Sequence, residues 1–245
     1  RLISRPCYGI IFLNHRALPH RDAVRSFRKE GCVMEQRTVK LYERGMSVPL
    51  KVVAGHFATN HSHVNYCIDM TTLKSRVSEA SEVAKLLAGK YVMNTVVDTI
   101  VCLDGMQVVG TLLAEDLTMS GSHSMNSHNT IYVVTPEFNS NSQLIFRDNI
   151  QPMIDGKHVL ILMASVTTGI TIRRSAECVS YYGGKVAGVA AIFSAVDDVE
   201  GYPIHSVFTR NVLPDYHSCA PMQCPLCRAG QKIDALVNSF GYSKL

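Results

Sequence analysis

The chain has 245 residues, 47% of them apolar, and a formal net charge of +4. That length holds one α/β domain with an appendage or two small domains, and the apolar share supports a sizeable core. No apolar run approaches the roughly 20 residues that span a bilayer, so a membrane partner is not expected.

The charge is uneven. Residues 1–51 carry eight Arg and three Lys against four acidic residues, a surplus of seven that leaves −3 for the remainder. Residues 1–50 therefore read as a basic extension. A nucleic-acid arm is one reading, but the basic residues are scattered and form no helix-turn-helix pattern. A solvated extension is favoured, and a nucleic-acid partner is not expected. Cys7–Leu13 is apolar behind Arg1 and Arg5, yet too short for a secretory signal. Of the eight cysteines, Cys67, Cys102 and Cys178 lie inside apolar segments, as buried free thiols do. This pattern fits a reducing cytoplasm.

Element signals strengthen from Lys51. Val52–Phe57 and Val64–Met70 read as two strands around the polar turn Thr59–His63. Ser75–Lys90 reads as a helix, with Val77, Ala80, Val83, Ala84 and Leu87 on one face and Ser75 or Ser78 as cap. Asp98–Leu103 is a β-rich run ending at Asp104-Gly105, and Val108–Leu117 reads as a helix. Ile131–Thr135 is a strand stopped by Pro136. Glu137–Asn149 is rich in Asn and Ser and reads as a mobile loop. Val159–Leu162 is a buried strand, Ile170–Tyr182 a helix ended by Gly183-Gly184, and Val186–Phe193 and Ile204–Phe208 are further strands. The alternation predicts a mostly parallel sheet with helices on both faces, whose ligands sit beyond the carboxyl ends of the strands.

The segment His158–Thr171, HVLILMASVTTGIT, is a buried run, a small polar loop and a helix start. Such a turn aims backbone N–H groups at an anion while hydroxyls add donors. Ser165, Val166, Thr167, Thr168, Gly169, Ile170 and Thr171 form the candidate phosphate cradle. Ordinary helix capping is the competing reading of this turn. His61-Ser62-His63 places both imidazoles on one side if extended, and joins His56 as a candidate metal or pocket-border group. His123 and His128 lie in a polar stretch and read as solvated.

The loop resembles the 5-phosphoribosyl-1-pyrophosphate (PRPP) motif of type I phosphoribosyltransferases. The stretch HFATNHSHVNYCIDMTT from His56, with Tyr66, Ile68 and Asp69, is similar to the hood strands of orotate phosphoribosyltransferases. Asp98–Gly110 is similar to their pyrophosphate-loop strand and turn, and Gly156–Gly188 to their PRPP strand, loop and helix. The resemblance spans roughly His56 to Phe208. It implies a phosphoribosyltransferase-like α/β fold with a small N-terminal hood, a phosphoribosyl or nucleotide small-molecule ligand, Mg²⁺ brought with PRPP, and a homodimer. It also implies pyrophosphate contacts from Asp104 and Gly105, although a simple type I′-like turn explains that pair equally well. Lid motion would come from Glu137–Asn149.

The chain departs from the family in three places. An acidic pair that contacts the ribose hydroxyls is replaced by Met163 and Ala164. Basic residues at the strand end and mobile loop are replaced by Val134, Thr135 and Pro136, leaving Arg147. An arginine near the base is replaced by Ser194, Ala195 and Val196. The catalytic residues are therefore unassigned. The leading reading is a protein similar to orotate phosphoribosyltransferase, binding PRPP or a nucleoside monophosphate. The alternative is a non-catalytic nucleotide or ribose-phosphate sensing module, and a transcriptional regulator with residues 1–51 as its arm is a third.

Residues 51–210 form the expected phosphoribosyltransferase-like domain, and residues 211–245 a cysteine-containing tail. There, Cys219, Cys224 and Cys227 have the spacing C-x4-C-x2-C, with His217 just upstream, and predict a structural Zn²⁺ site. The competing readings are a redox pair and three reduced thiols.

Overall fold

A computed structural model describes residues 37–43, 45–119, 124–127, 130–139 and 143–245. Most of the basic head, including the segment Cys7–Leu13, lies outside the described residues, as do His123 and His128.

The chain first builds a small sheet. β1 (Val39–Leu41) pairs antiparallel with β2 (Leu50–Ala58), which pairs antiparallel with β3 (His63–Asp69). A register shift between Ala54 and Phe57 marks a bulge in β2. Two helices follow, α1 (Thr71–Ser75) and α2 (Val77–Tyr91). The expected serine cap of α2 is absent. Arg76 is the N-cap in an extended conformation, and the Ser75 hydroxyl donates back to Thr71 O within α1. Glu79 near the start and Lys90 near the end of α2 complement the helix dipole instead.

The large sheet begins with β4 (Thr99–Cys102), crosses through α3 (Gln107–Met119) and returns as β5 (Tyr132–Val134) beside it. A two-stranded ribbon, β6 (Glu137–Phe138) with β7 (Leu144–Ile145), comes next. β8 (His158–Val166) lies on the other side of β4. It is followed by α4 (Ile170–Tyr181), β9 (Lys185–Ser194), the edge strand β10 (Asp198–Val199) and β11 (Tyr202–Thr209). The strand order is β10-β11-β9-β8-β4-β5, parallel throughout except for β10. This is the mixed α/β architecture expected, with α2 and α3 on one face and α4 on the other.

The run in β8 explains why this sheet forms. Val159, Leu160, Ile161, Leu162 and Met163 are all at most 3% exposed, because both faces are covered. Val159, Ile161 and Met163 pack with Ile172, Ala176 and Val179 of α4. Each such side chain stabilises the fold by about 1.5–3 kcal/mol relative to exposure.

Within the stretch read as a mobile loop, Glu137–Phe138 and Leu144–Ile145 pair as a ribbon, and Phe146 is buried edge-on against Tyr182 with ring centroids 5.4 Å apart. Arg147 donates to Glu137 Oε2 through Nε and Nη2, at 3.0 and 2.6 Å.

Residues 211–245 return to the small sheet. β12 (Ser218–Cys219) pairs with β3. After the single turn α5 (Pro225–Arg228), β13 (Ala235–Asn238) lies parallel to β2 and turns back as β14 (Gly241–Lys244). The hood expected from two strands is thus a six-stranded sheet, half of it built from the end of the chain.

Candidate functional site

β4 and β8 are neighbours whose following connections run to opposite sides, which makes the gap between them a topological switch point. In open parallel sheets ligands bind at that place, outside the carboxyl ends of the strands. The two connections leaving it are the Asp104-Gly105 turn and the Ser165–Thr171 loop.

The first is a type I′ turn. Asp104 and Gly105 have φ of 54° and 76°, and Met106 N–H donates to Leu103 O at 3.0 Å. Asp104 tolerates the left-handed region better than a bulkier residue would. Burial pushes its carboxyl pKa up, against the Ala164 N–H, the Lys74 charge and the Ser239 hydroxyl, which favour the ionised form.

The second turn depends on Gly169, the N-cap of α4, at φ 77°. A Cβ there would also collide with the Val199 methyls. Ser165, Thr167 and Thr171 line a cavity of about 300 Å³, while Thr168 and Ile170 are exposed at its margin and Val166 is buried beneath it. Thr171 O accepts from the Ser175 hydroxyl at 2.8 Å, which fixes the first turn of α4. The Thr167, Thr168 and Thr171 hydroxyls have no protein partner among the described residues.

The hood roofs this cavity. Thr59, His61, Tyr66 and Asp69 come from β3 and the turn before it, and Asn238, Ser239 and Tyr242 come from the β13–β14 hairpin. Lys74 of α1 ties the parts together: its Nζ donates to Asp104 O at 2.9 Å and Ser239 O at 2.5 Å. Burial lowers the Lys74 pKa, opposed by the charges of Asp104 and Asp69. Neither Lys74 nor the hairpin is singled out by sequence. The lysine's role depends on a carbonyl from 165 residues further along the chain.

Met163 and Ala164 also line the cavity, at 3% and 4% exposure. Acidic residues at these positions would stand at the cavity wall, and here the wall is apolar. The carboxylates lining the cavity are Asp104, as described, and Asp69, one oxygen of which accepts from Thr71 N–H at 2.9 Å. Mg²⁺ favours a near-octahedral oxygen shell, of which two carboxylates supply only a part. No step is therefore assigned to a magnesium ion held by the protein.

A second constellation lies in the hood. The β2 bulge turns His56 fully inward, 0% exposed. His63 begins β3 beside it, and Cys224 and Cys227 approach from α5 and the residue before it. The four side chains offer ligand atoms all within 4.8 Å of one another. Burial disfavours the Cys224 thiolate, but hydrogen bonds from Cys227 N–H, the His63 imidazole and Leu226 N–H bring the thiol down to about 6.

The tail expectation thus meets a different partner set. Cys224 and Cys227 come together, but with two hood histidines. Cys219 lies beside this group with its Sγ directed at His63 O, 3.7 Å away, and His217 N–H donates to Asn65 Oδ1. His61 and His63 separate, one to the cavity and one to the cluster, because the Thr59–Ser62 turn precedes the strand. The CxxC spacing and the early histidines His56 and His63 each signalled a part of this site, and nothing local joins the two parts. Burial raises the thiols of Cys67 to about 11 and Cys102 to about 12, as inert core cysteines.

No family model matches the chain. Over 78 residues it is 35% identical to an orotate phosphoribosyltransferase of Caldicellulosiruptor bescii, a match covering 31% of this chain and 39% of that protein. The chain therefore spans about two fifths of the curated relative it matches. Among solved structures it is similar to the UMP synthase of Leishmania donovani, at 17% identity and TM-score 0.49, covering 66% of this chain and 34% of that one. The orotate phosphoribosyltransferase of Mycobacterium tuberculosis is similar at 18% identity and TM-score 0.47, covering 67% and 92%. Over those 78 residues the chain resembles an orotate phosphoribosyltransferase.

Proposed function

We propose that this protein binds a phosphoribosyl ligand, PRPP or a nucleoside monophosphate, in the cavity between the large sheet and the hood. The observation that carries the reading is the Ser165–Thr171 loop. It opens α4 at the switch point and turns unpartnered hydroxyls and a helix N-terminus toward one cavity. A phosphate monoester would sit on that loop. The Asp104-Gly105 turn and the Lys74 ammonium would lie on the diphosphate side, and the hood would cover the base. The partial sequence similarity to an orotate phosphoribosyltransferase supports the same ligand class.

A second reading, a sensing module that binds without turnover, has its own support. The apolar wall at Met163-Ala164 removes carboxylates that would hold the ribose hydroxyls. Arg147, the cation left in the stretch that the resemblance assigns to the pyrophosphate side, pairs with Glu137. Losing such contacts costs several kcal/mol of transition-state stabilisation, about the size of one oxyanion donor each.

Calorimetry with PRPP and with nucleoside monophosphates tests the ligand. Binding is expected in the native chain and absent in Thr167→Glu, which puts a like charge into the cradle. Equal binding by both proteins would sink the proposal. Diphosphate release in the presence of PRPP and orotate then separates enzyme from sensor.

A further inference from the structure

We propose that His56, His63, Cys224 and Cys227 bind one Zn²⁺ and thereby clamp the end of the chain to the hood. The case is independent of the cavity ligand. With Zn–N near 2.0–2.1 Å and Zn–S near 2.3 Å, a tetrahedron sets donor–donor separations of about 3.3–3.8 Å. His56 Nε2 lies 3.1 Å from His63 Nδ1, 3.5 Å from Cys224 Sγ and 3.6 Å from Cys227 Sγ. His63 Nδ1 lies 3.2 Å from Cys227 Sγ. These four of the six edges are at or slightly below those of a zinc tetrahedron, and the other two are within 4.8 Å.

The tautomer agrees. His56 Nδ1 faces Gln231 O at 2.9 Å, and a carbonyl can only accept. The ring proton therefore sits on Nδ1, which leaves the Nε2 lone pair aimed into the cluster. A carbonyl behind a ligating imidazole is the usual device for orienting it and raising its basicity. The Cys224 sulfur in turn accepts the N–H groups of Leu226 and Cys227, so the turn of α5 is folded around it. The backbone around His56 is built to the same end. Asp234 accepts from His56 N–H at 2.8 Å and donates its own N–H to His56 O at 2.7 Å. Gly55 leaves room for the Asp234 carboxylate, which a Cβ there would displace.

Two imidazoles and two thiols suit Zn²⁺ over Mg²⁺ or Ca²⁺, and four protein ligands make the site closed and structural. Cys219, whose Sγ faces His63 O, lies outside the proposed ligand set.

The test is elemental analysis of the full chain, made without an affinity tag in zinc-containing medium and dialysed against metal-free buffer. About one zinc per chain is expected in the native protein and in Cys219→Ser, and less than about a tenth in Cys227→Ser, whose side chain is exposed. Replacing zinc with Co²⁺ should give the intense visible bands of a tetrahedral ion and a thiolate-to-metal charge-transfer band. If Cys227→Ser does not fold, the native stoichiometry and the cobalt spectrum decide alone. A folded native chain without zinc, a Cys224–Cys227 disulfide, an octahedral cobalt spectrum, or metal retained in folded Cys227→Ser would each overturn the proposal.

Discussion

Gly169 shows what the cradle asks of one residue. It occupies the left-handed region and abuts Val199, so a side chain meets both a backbone and a steric penalty. Gly169→Val is expected to destabilise the fold by about 2–4 kcal/mol, readable in a urea midpoint. Thr167→Glu is expected to leave that midpoint nearly unchanged while abolishing ligand binding, so the two variants separate architecture from recognition. The Thr-Thr-Gly segment was legible as a turn because it stands between an apolar run and the start of a helical pattern. Lys74 was not. Within TTLKS it is an ordinary helix lysine, and only the folded chain brings Asp104 and Ser239 to it.

Elements were legible where burial imposes a pattern and obscure where pairing crosses long sequence distances. β8 and β9 announce themselves as apolar runs because both faces are covered. β13 and β14 are short and half exposed, and the partner of β13, β2, lies about 180 residues earlier, so no local period marks them. Leu144-Ile145-Phe146 was hidden by the Asn- and Ser-rich residues around it. The strand starts carry their own chemistry. Asp98, before β4, accepts from His158 N–H at 2.8 Å and His158 Nδ1 at 2.9 Å, joining the two central strands. Burial works to raise the Asp98 carboxyl pKa, but the hydrogen bonds and charge of His158, with the Lys157 charge, hold it below the usual carboxylate range. A folded pKa below the unfolded one means the stabilisation is present above about pH 4 and is lost as pH falls through the folded value. Asp98→Asn is therefore expected to lower stability at pH 7 and to reduce its loss on acidification, measured by urea unfolding at pH 7 and pH 3. In the sheet interior the effect is pH-independent: Leu160→Ala should cost about 2–5 kcal/mol at both pH values.

At the scale of the molecule, the end of the chain does two things at once. It supplies Cys224 and Cys227 to the hood cluster and, a dozen residues later, Ser239 to the cavity, where its carbonyl accepts a hydrogen bond from Lys74. The segment between them is held by Gln231 O on His56, by Asp234 across the β2 bulge, and by the short parallel pairing of Ala235 and Leu236 with β2. A clamp at the cluster would therefore set where the hairpin stands over the ligand. Zinc removal should weaken this arm without unfolding the large sheet, whose apolar core shares no residue with the cluster. Hydrogen exchange after treatment with a chelator is expected to show faster exchange at residues 218–244 and in β2 near His56, with β8 and β9 still protected. The same treatment should weaken nucleotide binding several-fold, because Ser239 and Lys74 lose their fixed spacing, and zinc but not Mg²⁺ should restore it. Uniform loss of protection across both sheets would show instead that the tail is part of the folding core. Unchanged protection everywhere would show that the strand pairing holds the hairpin without a metal.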